Sequence, residues 1–426
     1  MTTMTRTYPT LADCPVDNVK GNPVLVRVDY NLPMDGDRLL EGNEGNLRIE
    51  MSLPTLERLI EMQPSRLVLM THLGDPDKLA KKTGRPREEF LAALDTEKVA
   101  RRLSELWGKP VQFHGDIATP ITGEGIYFLQ NTRFDPREKK NDPGYAALLA
   151  AHAQGGIFVN DAFGAAHRAH ASNAGVVPLF QGRSYIGLLM QRELEMLSPL
   201  LLPPQQSVAL IGGLKIADKI DTITFLAEHY GTVLVGGAMV YAFLAAQEKP
   251  IGAAIVPPEE REKAQELIGT YGLRVVGIDG GKIVLPTDGV FGTGSAKAPQ
   301  YTRSAGIETI EGNEYFFDIG EETRSQYAGI ILPAEMAVWN GPMGLVEYEP
   351  FRGGTDAMVL AMAACEGISV AGGGETTTAE QQAELEKKIP KVGTKGGFSH
   401  VSTGGGATLA YLTGKELPSL AAFGQQ

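Results

Sequence analysis

Four times in the second half of this chain a short apolar run ends in two or three glycines at a helix start. Ser207–Ile211 leads into Gly212-Gly213, Thr232–Val235 into Gly236-Gly237, Ile368–Ala371 into Gly372-Gly373-Gly374 and His400–Thr403 into Gly404-Gly405-Gly406. A further run, Met336–Trp339, ends in Asn340-Gly341-Pro342-Met343-Gly344. Short apolar runs bounded by turn signals read as buried strands, and strands alternating with helices build a parallel sheet. Glycine lets backbone N–H groups approach a ligand, and a helix N-terminus favours negative charge there. A tight strand-to-helix turn alone also uses glycine. The recurrence, with Lys215, Lys219 and Glu375 beside the turns, points to a phosphate-rich ligand. With a helix from about Lys215, Lys215 and Lys219 share one face.

The first half has the same rhythm with polar tips in place of glycines. Strands are expected at Pro23–Tyr30, Arg66–Met70, Val111–Phe113, Ile126–Leu129 and Gly156–Val159. Asp29-Tyr30-Asn31, His72, Asn131-Thr132-Arg133 and Asn160-Asp161 stand at or just past strand ends, where ligands sit in such sheets. The densest stretch, Asn160–Ser172, packs Asp161, His167, Arg168 and His170 among glycine and alanines, a composition suited to an anion. Ser52 is expected to cap a helix Leu53–Gln63, another helical pattern covers Glu88–Trp107, and Asp142-Pro143 opens one running to His152. Asp75–Arg87, with Pro76, Gly84 and Pro86, reads as a surface loop. A helical pattern over Tyr185–Leu202, closed by Pro203-Pro204, marks a domain boundary.

The chain's 426 residues exceed one ordinary core, so two domains are expected. With 39 Lys+Arg against 51 Asp+Glu, the net charge of −12 argues against nucleic-acid or anionic-membrane partners, which need a basic face. Cys14 and Cys365 give no disulfide framework or zinc spacing. The N-terminal residues lack a signal-type apolar segment, and no apolar window is long enough to span a membrane. A soluble, cytoplasmic protein is the expectation. No Gly-x-x-x-x-Gly-Lys-Ser/Thr loop, His-Arg-Asp or Asp-Phe-Gly occurs, which excludes Walker-type and protein-kinase sites. The first strand-to-helix turn has no Gly-x-Gly-x-x-Gly, which argues against a dinucleotide-dependent dehydrogenase.

Ten segments in order resemble one family, phosphoglycerate kinase, over nearly the whole length. They are Arg27–Asn31, Arg48-Ile49, Thr71–Gly74, Asn131–Phe134 and Asn160–Ser172, then Gly212–Ile220, Leu234–Gly237, Val338–Gly344, Gly372–Thr376 and Ser399–Gly406. The resemblance implies an α/β chain of two doubly wound parallel-sheet domains joined by an interdomain helix, with a cleft between them. Residues 1–185 would form the 3-phosphoglycerate domain, 186–202 the helix and 203–406 the nucleotide domain, with the tail 407–426 packing back on the first. It implies phosphoryl transfer between 1,3-bisphosphoglycerate and MgADP, giving 3-phosphoglycerate and MgATP, in a monomer that closes about a hinge. The carried-over glycerate ligands are Asp29, Asn31, Arg48, His72, Arg133 and Arg168. The nucleotide side takes Gly212, Gly213, Lys219, Gly236, Gly237, Asn340, Pro342, Glu347, Gly372, Gly373, Gly374, Glu375 and Thr376. Arg48, Lys215, Lys219, Gly373 and Gly374 would stabilise the phosphoryl group in transit, and Glu375 would hold the nucleotide's Mg²⁺.

Two positions depart from the family pattern. Asp75 stands where His-x-Gly is usually followed by arginine, and Gly84-Arg85-Pro86 nine residues on suggests that Arg85 supplies the missing guanidinium. Glu375 stands where aspartate is usual, keeping the charge on a longer arm. A family-derived binding protein that has lost transfer is the alternative. The retained set Arg48, Lys215, Lys219 and glycine turns favours an enzyme. His167 and His170 suit either substrate contact or the ordering of Arg168. Trp339 is expected to pack beneath a turn, and His114, His152, His229 and both cysteines to be ordinary.

Overall fold

A computed structural model describes residues 8–213, 219–275, 281–372, 392–394 and 397–425. The chain divides into two compact units, Met1–Glu195 with Lys415–Gln426, and Met196–Gly414.

The first unit is built on six strands: β1 (Pro23–Val28), β2 (Arg66–Met70), β3 (Gln112–His114), β4 (Gly125–Leu129), β5 (Ile157–Asp161) and β6 (Ser184–Ile186). They lie in the order β3-β4-β2-β1-β5-β6, and every pairing is parallel. A parallel sheet covered on both faces needs apolar residues at every position rather than at alternate ones. β1 obeys this, with all its residues buried, and one of them is Arg27. Val24, Val26 and Val28 pack in one cluster with Leu67, Leu69 and Val159 of neighbouring strands. Leu56 and Leu59 of α1 (Asn43–Glu61) join it, and burying each such side chain contributes about 2 kcal/mol.

Several local expectations fail in this unit, some because tertiary contacts override local signals and one because it passes over local helix signals. Ser52 does not cap a helix; it lies inside α1, which begins nine residues earlier and carries Pro54 within it. Its hydroxyl donates to the Ile49 carbonyl at 2.8 Å and is hydrogen-bonded to the Tyr30 hydroxyl, so it serves packing. The longer helix gives Arg48 a rigid base. Asp75–Arg87 is not a loop: α2 (Pro76–Thr83) has Asp75 as N-cap, accepting from the Lys78 N–H at 3.0 Å, Pro76 in its first turn and left-handed Gly84 as its stop. Those are ordinary helix signals. The Glu88–Trp107 pattern breaks into a 3₁₀ turn at Arg87–Phe90 and α3 (Glu97–Trp107). α4 (Pro143–Ala151) starts on Asp142 as expected. The Tyr185–Leu202 pattern opens as β6 and becomes α5 (Leu188–Leu197) only after Gly187. The division between units falls inside α5. The C-terminal segment of the first unit packs on the end of β5: the Asn160 amide donates to Ser419 Oγ at 2.8 Å, and Leu417, Leu420 and Phe423 are buried.

The second unit has a seven-stranded parallel sheet of β7 (Ser207–Ile211), β8 (Thr232–Val235), β9 (Leu273–Val275), β10 (Ile283–Leu285), β14 (Met336–Asn340), β15 (Ile368–Gly372) and β16 (His400–Ser402). Their order is β9-β10-β8-β7-β14-β15-β16. A small antiparallel sheet, β11 (Asp288–Ser295), β12 (Ala298–Gly306) and β13 (Tyr315–Ile319), stands apart from it, with β11 in the middle. Glycine inside its strands hides it from pattern reading. Among the described residues no helix is long and apolar enough to cross a membrane.

Candidate functional site

In the first unit the carboxyl ends of β1, β2 and β5 deliver Asp29, His72 and the segment after Asp161 to one sheet edge. Loop hydrogen bonds fix the tips to one another. The Asn31 side-chain oxygen accepts from the Gly74 N–H at 2.8 Å, and Arg133 Nη1 donates to the Gly74 carbonyl at 2.8 Å. Asn131 donates to the Leu73 carbonyl at 2.7 Å. Arg48, on α1, pairs with Asp29. The Arg168 guanidinium is exposed and has no partner among the described residues.

Buried polar atoms without a partner normally cost free energy and so call for an explanation. Four such atoms without a hydrogen bond gather here: Asp29 Oδ1, Arg133 Nε, His167 Nδ1 and His170 Nδ1, the last 3.8 Å from Glu138 Oε1. Charge crowding accompanies them. Burial lowers the Arg133 pKa to about 10, with Arg168 and Arg27 pushing the same way and Asp75 opposing. Burial, then Arg133, Arg27 and Arg168, brings His170 down to about 3. Burial and then Arg168 lower His167, and burial with Arg133 and Arg27 takes His72 well below the usual imidazole range. The histidines are therefore neutral at pH 7 and the arginines are the cations. An edge that places guanidinium groups within each other's field and leaves polar atoms without hydrogen bonds is arranged for a multiply charged anion.

Arg85 is not brought into this cluster. Its Nε and Nη2 donate to Glu89 at 2.9 and 2.6 Å, and it lies over the Phe90 ring on exposed surface. Arg87 reaches the edge instead, donating to the Phe134 carbonyl at 2.5 Å and to Asp77 at 2.8 Å. Lys139 completes the network, 3.1 Å from Asp75 and 3.0 Å from Asp77. Burial raises the Asp75 carboxyl, but the Lys78 N–H and Lys139 outweigh it and hold it below the usual range. Asp75 is thus a helix cap with its own counter-ion.

In the second unit the strand ends carry backbone rather than side chains. The Gly212 N–H donates to the Asn340 carbonyl at 3.0 Å, Gly236 N–H to Ile211 at 2.9 Å and Gly237 N–H to Met343 at 2.9 Å. A Cβ at Gly212 would collide with the Pro342 carbonyl, and one at Gly341, where φ is +90°, with the Gly212 carbonyl. The glycines are needed for this close approach. Lys219, at the N-cap of α6 (Ile220–His229), donates to the Gly212 carbonyl and to Asn340 Oδ1, both at 2.8 Å. Asn340 in turn donates to the Gly372 carbonyl at 2.9 Å, so one lysine and one asparagine lace three turns together. Trp339 is buried beneath them, donating to the Gly341 carbonyl at 2.8 Å. Glu347 is exposed in the turn after β14. α6 carries Lys219 as its N-cap, and the expectation that Lys219 shares a helix face with Lys215 falls on residues outside those described. Lys215, Gly373, Gly374, Glu375 and Thr376 lie outside the described residues. Among those described, no group of three or more His, Cys, Asp or Glu could hold a metal.

Sequence patterns named the tips but missed what supports them: Arg27, Ser172 and Glu138 beneath the edge, and Lys139 beside it. A charged residue inside the apolar run Val24–Val28 was the one available signal for Arg27. His114 and His152 pack edge-to-face at 5.6 Å, and His229 stacks on Phe225.

Fold and sites together define a two-unit parallel α/β protein with an arginine-lined anion edge in one unit and a glycine-turn edge in the other. The sequence profile of phosphoglycerate kinase matches residues 13–415. A phosphoglycerate kinase of Moorella thermoacetica is 38% identical over 97% of this chain and 98% of its own length. One of Thermomicrobium roseum is 39% identical over 95% and 96%. Among solved structures, phosphoglycerate kinase from Coxiella burnetii superposes with a TM-score of 0.79 at 30% identity, covering 98% of this chain and 99% of that one. The Pyrococcus horikoshii enzyme gives 0.77 at 27% identity, over 97% and 98%. The chain belongs to the phosphoglycerate kinase family.

Proposed function

We propose that the chain catalyses reversible phosphoryl transfer between 1,3-bisphosphoglycerate and MgADP, giving 3-phosphoglycerate and MgATP, as a cytoplasmic monomer. The observation that carries this reading is the pair of unlike edges in one family member. One presents arginines and buried polar atoms without hydrogen bonds, suited to a small polyanion. The other presents laced glycine turns, suited to a nucleotide's phosphates.

The chemistry needs no protein nucleophile, because the substrate carboxylate or the terminal ADP oxygen attacks the phosphorus. What remains is positioning and neutralisation of the equatorial oxygens. Asp29, Asn31, His72, Arg133 and Arg168 would hold the glycerate. Gly212, Gly213, Gly236, Gly237, Asn340, Pro342, Glu347, Gly372 and Thr376 would hold the nucleotide, with Lys219 on its phosphates. Arg48, Lys215 and the N–H groups of Gly373 and Gly374 would stabilise the group in transit, each worth about 3 kcal/mol. Glu375 would ligate the Mg²⁺ that arrives with the nucleotide. Closure over both ligands would exclude water from the phosphoryl donor.

A coupled assay of ATP-dependent phosphorylation of 3-phosphoglycerate tests this. Turnover that requires both substrates is expected; clear ADP binding without turnover would sink the reading.

A further inference from the structure

A buried hydrogen-bonded chain runs beneath the arginine-lined edge of the first unit. Arg27, fully buried in β1, donates from Nε to Ser172 Oγ at 2.8 Å and from Nη1 to its neighbour's carbonyl at Val28. Its Nη2 lies 2.9 Å from His72 Nδ1. Ser172 Oγ in turn donates a hydrogen bond to Glu138 Oε1 at 2.6 Å, and the Ser172 N–H donates to Glu138 Oε2 at 2.9 Å. Thr132 Oγ1 donates to Glu138 Oε1 at 3.2 Å. Glu138 is fully buried, so it is the counter-ion of Arg27 through one serine hydroxyl.

The direction of every bond in this chain is fixed by chemistry. A carboxylate only accepts and a guanidinium only donates. Ser172 must therefore accept from Arg27 and donate to Glu138. The same rule makes His72 Nδ1 an acceptor, and an imidazole that accepts at Nδ1 is neutral and carries its proton on Nε2. Among the described residues Nε2 has no partner, and His72 keeps 6% of its surface exposed.

We propose that Arg27, held by Ser172 and Glu138, is a positioning residue that fixes His72 as the neutral Nε2–H tautomer, so that His72 offers substrate a directed hydrogen bond and no charge. The oxygen it would meet is a carboxylate or phosphate oxygen of the three-carbon acid, a step that rests on the proposed reaction. The tautomer does not depend on that reaction. The arrangement answers a local problem: Arg133, Arg27 and Arg48 already act on the ring, and all three disfavour a further cation. A neutral donor adds orientation without adding repulsion.

Two-bond ¹H–¹⁵N spectra of the full chain labelled at histidine, with His72 assigned by its loss in His72→Gln, read the tautomer directly. A protonated Nε2 and an unprotonated Nδ1 are expected at pH 7, unchanged between pH 5.5 and 8. Ser172→Ala, which removes a hydroxyl rather than a buried charge, should mix the tautomers and raise KM for 3-phosphoglycerate about tenfold, with KM for MgATP unchanged. Ser172→Thr should restore both readings. An Nδ1–H ring or an imidazolium in the unsubstituted chain would overturn the proposal, as would Ser172→Ala leaving spectrum and KM untouched. An Nε2–H ring in a chain that does not turn over 3-phosphoglycerate would uphold the positioning and overturn the reaction instead.

Discussion

In the first unit the polar edge is made of side chains: arginines and neutral histidines, held from below by a buried Glu138–Ser172–Arg27 chain. In the second it is made of backbone, with glycine turns brought so close that a single Cβ would not fit, and two side chains that tie the turns together. The difference matches the ligands each edge suits. A small acid with a phosphate and a carboxylate must be gripped by directed cations, whereas a chain of nucleotide phosphates can be followed by successive N–H groups. It also makes the two edges fail differently. One loses affinity a ligand at a time; the other fails when space is filled.

The largest effect is therefore expected at Gly341. Alanine there meets the Gly212 carbonyl, comes within 2.6 Å of Lys219 Nζ and must adopt a φ of +90°. Strain and collision together should cost more than about 2 kcal/mol of stability. MgADP affinity should fall beyond detection in calorimetry while 3-phosphoglycerate binding stays within twofold. Arg168→Ala should come next, raising KM for 3-phosphoglycerate between about tenfold and a hundredfold, since a charge-assisted contact is worth about 1.5–3 kcal/mol. KM for MgATP should not move.

A third effect separates the edges by pH. His170 has a folded pKa of about 3 against an ordinary value of 6.5, so between those values the unfolded chain binds more protons. Its contribution to stability is complete above pH 6.5 and is lost as pH falls from there toward 3. Urea unfolding at pH 7 and pH 5 should show a smaller acid loss in His170→Asn than in the unsubstituted chain. The smallest effects belong to the departures. Asp75→Asn keeps a cap for α2 but removes a negative charge that acts on Arg133, so KM for 3-phosphoglycerate should fall by about twofold. Arg85→Ala, at a side chain occupied by Glu89, should leave that KM unchanged.

What the sequence made legible divides along the same line. The apolar runs and their tips are local patterns, so β2, β7 and β8 were placed to the residue, and the polar tips lie at the strand ends. The glycine turns were legible because glycine is the local answer to a close approach. The supporting groups were not. Arg27 meets Ser172 across 145 residues and His72 across 45, and neither spacing leaves a periodic trace. Ser52 misled because a helix cap and a buried hydroxyl are the same residue until Tyr30 is seen against it. Asp75 misled in the opposite direction. Measured against the family pattern it is a lost arginine, yet with Pro76 and Gly84 it spells a helix that a loop reading overlooked.

The division of labour between the edges is tested most directly by titrating the unsubstituted chain and Arg168→Ala separately with 3-phosphoglycerate and with MgADP in a calorimeter. The expected result is loss of at least tenfold in 3-phosphoglycerate affinity with MgADP binding unchanged. Equal weakening of both ligands, or of MgADP alone, would contradict it.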